Sequence, residues 1–150
     1  MYGSRKVLCF VVVATVASTC YSQERESISV DELYRAHSLV SEIAEETAEL
    51  RREMNSTESA ATFLERVIEF QKRLNPIIVS IAETDAPKEA QLYAISLAIA
   101  IKETELSHWH YMNAFVSREQ RYLNSGDIFL REGLSELERA KSLAGDRFRE

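Results

Sequence analysis

Between Pro87 and Leu123 the chain runs for about 37 residues without a glycine or a further proline, and that run limits the possible folds more than any other feature. It opens on a nearly continuous apolar series from Leu92 to Ile101 and carries an aromatic cluster, His108-Trp109-His110-Tyr111-Met112 and then Phe115. The alternation Ile95, Leu97, Ile99, Ile101 has the period of a strand, but the residues between are Ala and Ser. A helical spacing continues straight through it: Ala90, Tyr93/Ala94, Leu97, Ile101, Thr104, His108, Tyr111/Met112, Phe115 and Tyr122. The reading is therefore one long third helix that the rest of the chain must cover.

The flanking segments have the right pattern to cover it. Ser29-Val30-Asp31-Glu32 is a capping box opening a first helix, whose apolar stripe is Leu33, Ala36/His37, Val40, Ile43/Ala44, Thr47, Leu50 and Met54. Asn55-Ser56-Thr57 breaks that pattern. A second helix follows with Ala60, Phe63/Leu64, Val67, Phe70, Leu74, Ile77/Ile78 and Ile81, and Pro76 within it predicts a kink near Arg73 to Asn75. Thr84 to Pro87 is the next boundary. Asn124-Ser125-Gly126-Asp127 reads as the end of the third helix, with Gly126 as C-terminal stop and Asp127 as the cap of a fourth helix from Ile128 to Leu143. That helix turns Leu130, Leu134, Leu137 and Ala140/Lys141 inward, and Gly145 ends it.

Four amphipathic helices joined by short loops predict an all-α protein, an antiparallel up-down-up-down four-helix bundle over residues 29–145 with a long third helix. With only 4 Gly and 2 Pro in 150 residues, turns are few and long helices are favoured. Ala90, Ala94 and Ala98 form a ridge of small residues on the third helix, where a neighbour can come close.

Residues 1–22 read as a secretory signal peptide rather than as part of the fold. Arg5 and Lys6 are its charged start and Val7 to Ala17 its apolar segment of 11 residues, too short for an ordinary membrane-spanning helix. Ala17-Ser18-Thr19-Cys20 loosely follows the motif in which Cys20 is lipidated, and cleavage after Ser18 or Ser22 is the alternative. A short polar lead (23–28) precedes the bundle and a charged tail (146–150) follows it. The expected location is extracytoplasmic: secreted, periplasmic or held at the envelope, with contact to a membrane only through a lipid anchor.

Both cysteines, Cys9 and Cys20, fall in the signal region, so the bundle has no disulfide and must rely on packing. Without residues 1–22 the chain keeps 16 of its cations against 24 acids, a net of −8. Such an acidic surface argues against a nucleic-acid partner.

The third helix has a second apolar stripe, Leu92, Ile95, Ile99 and Leu106, on a different side from its core stripe, and Trp109 lies in the aromatic cluster beyond it. A helix apolar on two sides wants two sets of neighbours. These five residues are the candidate interaction surface, for a homodimer or an unknown protein partner.

Signals for chemistry are sparse. Glu105-Leu106-Ser107-His108 matches one Glu-x-x-His element of a di-iron bundle and His37 offers a second imidazole, but a complete site needs that element twice and a Glu on each remaining helix. His37, Glu105 and His108 are therefore minor metal candidates, with His37 and His108 better read as core residues, and His110 should point outward. A haem held by Met54 or Met112 has less support still, since nothing sets those residues at one level with a histidine. There is no nucleophile motif, no phosphate-binding glycine loop and no cysteine in the bundle, so a non-enzymatic protein without cofactors is expected. An apolar-ligand or lipid carrier is the other alternative to a binding protein. Asn55-Ser56-Thr57 is an N-glycosylation sequon at a predicted loop.

Overall fold

The computed structural model describes residues 27–54, 56–83 and 85–145, apart from the side chains of residues 82 and 83. The expected signal at 1–22 with Cys20, most of the polar lead, the sequon residue Asn55 and the tail at 146–150 lie outside the described residues.

Four helices make up nearly all of the described chain: α1 Val30–Glu53, α2 Thr57–Glu83, α3 Gln91–Ser117 and α4 Gln120–Ala144. A single 3₁₀ turn, Lys88–Ala90, leads into α3. The described residues are all-helical and hold no strand, as a helical bundle requires.

The capping box at the start of α1 is present. The Ser29 N–H donates to Glu32 Oε2 at 2.8 Å and the Glu32 N–H to Ser29 Oγ at 3.2 Å, so two of the orphan donors of the first turn are satisfied. Just ahead of it the Ile28 N–H donates to the Asp85 carbonyl at 3.2 Å, which ties the entry of α1 to the connection before α3. The predicted stripe of α1 is buried at Leu33, His37, Val40, Ile43, Ala44 and Thr47. From α2, Phe63, Val67, Phe70 and Leu74 meet it in one core, and the helix continues through Pro76 to Glu83.

The third helix is shorter than its sequence predicts. It ends at Ser117, where Arg118 turns left-handed (φ 58, ψ 28) and its N–H donates back to the Ala114 carbonyl at 2.9 Å. The fourth helix then starts at Gln120 and passes without a break through Asn124-Ser125-Gly126-Asp127, the segment expected to separate them. Packing explains the difference. Gly126 is buried beneath Tyr111, where a Cβ would lie 2.5 Å from the ring, and Asp127 accepts a hydrogen bond from the Tyr111 hydroxyl at 2.9 Å. Gly126 is thus a close-contact glycine rather than a stop, and Asp127 a partner of α3 rather than a cap. The helix-propensity cost of such a glycine is about 1 kcal/mol, less than a buried aromatic contact returns.

The small-residue contact also lies elsewhere than expected. Ala94 and Ala98 are only half-buried. The close approach of α3 to α4 is made where Gly133 faces Thr104 and Ala100, and where Gly126 faces Tyr111.

Candidate interaction surface

The inward side of α3 carries Tyr93, Leu97, Ala100, Ile101, Thr104, His108 and Tyr111, all buried. His108 is fully enclosed between α1 and α2: its Nε2 lies 3.0 Å from Thr47 Oγ1 and its Nδ1 3.3 Å from the Gln71 amide. The Thr47 hydroxyl donates to the Ile43 carbonyl at 2.7 Å, and the Gln71 amide nitrogen donates to Asn75, so Gln71 turns its Oε1 toward the imidazole Nδ1. Burial pushes the His108 pKa down to about 4, so it is neutral at pH 7.

The minor metal candidates are not brought together. His37 stacks on Tyr93, ring centroids 5.7 Å apart and 3° from parallel. Glu105 pairs with Lys102 at 2.6 Å, and His108 is committed to Thr47 and Gln71. Among the described residues no group of three or more His, Cys, Asp or Glu is arranged to hold a metal ion. Both imidazoles are buried core residues, His108 beside Thr47 and Gln71 and His37 stacked on Tyr93.

The outward side of α3 is where apolar surface is left uncovered. Leu92 is 68% exposed, Ile95 56%, Ile99 40% and Trp109 51%, while Leu106 is half-buried. Val116, which the sequence reading passed over, is 85% exposed on the same side. Together with Lys102 and Asn113 these residues recur at alternating steps of three and four: 92, 95, 99, 102, 106, 109, 113, 116. That is the a/d repeat of a coiled-coil seam, sustained over the full length of α3 and directed away from its own core. The repeat identifies Val116 once the seam is followed past the aromatic cluster.

Each border of the seam carries one glutamate near its middle. Glu103 follows it on the side of α4, where Glu132 and Glu136 lie close enough to act on it: burial first, then these two carboxylates, hold the Glu103 pKa above the ordinary glutamate value. The Oε2 atoms of Glu103 and Glu136 are enclosed and find no hydrogen-bond partner among the described residues, although Glu136 Oε1 accepts from Arg139 at 3.3 Å. On the other border, Glu105 is bound to Lys102.

An aromatic group closes the far end. The Trp109 ring stands edge-on to His110 at 5.0 Å, and His110 is not turned to solvent as expected but stacks on Phe129 at 5.0 Å and 11°. Tyr122 lies 6.5 Å from Trp109, with the Arg121 guanidinium 5.1 Å over its ring. These contacts hold Trp109 in place while leaving half of it open, the form of an anchoring residue at protein interfaces.

A separate groove of about 290 Å³ opens between α1 and α2 beside Pro76, lined by Ile28, Ala36, Leu39, Ile77 and Ile81 with Glu32 and Arg35 at its edge. Comparison of the chain with protein-family models, with curated proteins and with solved structures returns no match.

Proposed function

We propose that the protein is exported and acts without catalysis, as an up-down-up-down antiparallel four-helix bundle that engages another protein, or a second copy of itself, through the outer side of α3. The antiparallel order is supported by residue pairs that run in opposite directions along neighbouring helices. Glu42 and Glu46 of α1 meet Arg73 and Arg66 of α2, and Phe63 and Gln71 of α2 meet Tyr111 and His108 of α3. Export is supported by the layout of residues 1–22, and among the described residues no helix is long and apolar enough to cross a membrane.

The observation that carries the reading is the exposure of Leu92, Ile95, Ile99 and Trp109 along one seam of a helix whose opposite side is buried. Large contiguous apolar surface on a folded protein marks a contact site. The test is photocrosslinking in the native envelope or medium from a photoreactive residue at position 95, compared with one at position 135 on α4. Adducts confined to position 95 support the reading, and equal labelling at both opposes it. Mass spectrometry of the same protein gives the new N-terminus, after Ser18 or after Ser22, or a lipidated Cys20.

A second reading, an apolar-ligand or lipid carrier, draws on the groove beside Pro76, whose floor is Leu39, Ile77 and Ile81. Native mass spectrometry of gently extracted protein tests it, since a carrier retains a bound lipid mass.

A further inference from the structure

We propose that the seam on α3 is a docking site for a basic amphipathic helix of a partner protein, one with its own apolar a/d stripe bordered by lysine or arginine. This rests on the reading of the outer side of α3 as an interaction surface and adds the chemistry of the occupant. The a/d register asks for a helix, because only a second helix carries knobs at the spacing of 92, 95, 99, 106 and 109. The borders then choose which helix. In the same register Glu103 takes the e position and Glu105 the g position, so both flanks of the seam present carboxylates. Beyond Glu103 stand Glu132 and Glu136, and the enclosed Oε2 atoms of Glu103 and Glu136 find no donor among the described residues. A cation from a docked helix placed beside Glu103 relieves the repulsion among the three carboxylates.

The same charges disfavour a second copy. In an antiparallel pairing of two α3 seams e meets e and g meets g, which sets Glu103 against its counterpart and Glu105 against its counterpart. In a parallel pairing Lys102, at a d position, stacks on its counterpart. Either arrangement places like charges together, whereas a basic helix meets opposite charge along the α4 flank at Glu103, Glu132 and Glu136, the Glu105 flank being paired with Lys102.

The probes are two four-heptad helical peptides with Leu at a and d, one carrying Lys and the other Glu at e and g. Their like-charged borders discourage pairing of either peptide with itself. Trp109 is the sole tryptophan of the chain and lies on the seam, so its emission reports docking. With the full-length protein the Lys peptide should bind at least about tenfold more tightly than the Glu peptide and shift Trp109 emission to the blue. Ile99→Asp should weaken that binding by about tenfold or more, and Glu103→Gln with Glu136→Gln should reduce the preference between peptides to roughly twofold. Binding of the Lys peptide that ignores Ile99→Asp would reflect net charge alone and overturns the proposal, as does equal affinity for both peptides. A concentration-dependent dimer in sedimentation that Ile99→Asp abolishes overturns the basic partner while keeping the interaction surface. Failure of both peptides to bind, with no dimer, overturns the surface as well.

Discussion

Gly126 lies so close beneath the Tyr111 ring that a Cβ at that position would stand 2.5 Å from Cε1 and 2.6 Å from Cδ1. No real Cβ contact is that short, and the ring has little room to yield. Phe63 packs edge-on against it at 5.1 Å, and its hydroxyl is held by Asp127. Gly126→Ala gains about 1 kcal/mol of helix propensity but forces the ring aside, an overpacking cost of about 1–3 kcal/mol. A net loss of up to about 2 kcal/mol is expected in urea denaturation, and Tyr111→Leu in the same chain should recover part of it. Gly133→Ala is the control. Its Cβ would lie 3.0 Å from Thr104 Oγ1 and 3.3 Å from the Ala100 carbonyl, so the propensity gain offsets most of the strain and stability should change little.

This contact also explains what the sequence left illegible. Stripes on α1 and α2 repeat at helical spacing, and each of Leu33, Val40, Phe63 and Phe70 is buried where that spacing puts it. The turn between α3 and α4 lacks such a signal. Asn124-Ser125-Gly126-Asp127 has every local mark of a helix boundary, while Arg118, which does reverse the chain, is a residue seldom found left-handed. What decides is the fit of Gly126 and Asp127 to Tyr111, a contact across 16 residues or less that no local preference encodes. The interaction seam was half legible: Leu92, Ile95, Ile99 and Leu106 stand out as a spare apolar stripe. Val116 joins them only when the heptad step is carried through the polar positions Lys102 and Asn113 to the end of α3. The acidic border was hidden for another reason, since Glu132 and Glu136 reach Glu103 only through the α3–α4 packing.

Asp127 joins three helices. Its carboxylate accepts from Arg51 at 2.8 and 2.9 Å, a bidentate pair, and from the Tyr111 hydroxyl. The two bonds differ in value. Asp127 is partly exposed, so the ion pair contributes well under about 1 kcal/mol and Arg51→Ala should be mild. Removing the acceptor strands the enclosed Tyr111 hydroxyl, a cost of about 1–3 kcal/mol. Asp127→Ala should therefore destabilise more than Arg51→Ala. The double variant Tyr111→Phe with Asp127→Ala should lose less than the sum of the single ones, as a double-mutant cycle of urea midpoints would record.

His108 makes stability depend on pH in a defined window. Its folded pKa, about 4, lies below the unfolded value near 6.5, so between those limits the unfolded chain binds a proton that the folded chain does not. Stability is fully present above about pH 6.5 and falls as the pH drops toward 4, by up to roughly 3 kcal/mol. Burial also lowers the pKa of His37, which adds loss in the same direction. His108→Gln keeps a polar group beside Thr47 without a titrating ring. It should be less stable than the parent at pH 7.5, yet lose less of its stability between pH 7 and pH 4.5. Denaturation curves for both proteins across that range check the sign, and a parallel fall in the two would exclude His108 as the source.

The two sides of α3 should respond oppositely to substitution. Leu97 is fully buried, so Leu97→Ala removes packed atoms and leaves a cavity, with an expected loss of about 3 kcal/mol. Leu92, Ile95 and Ile99, within one to two turns of it on the same helix, already face water for much of their surface. Replacing all three with Gln leaves helix propensity nearly unchanged and removes only the covered part of each side chain, so the loss of stability should stay well below that of Leu97→Ala. Binding of a hydrophobic dye to the native protein should drop in that triple variant and rise in Leu97→Ala, where the core is loosened. If the triple variant were instead as unstable as Leu97→Ala, the seam would belong to the bundle's own packing rather than stand open to a partner.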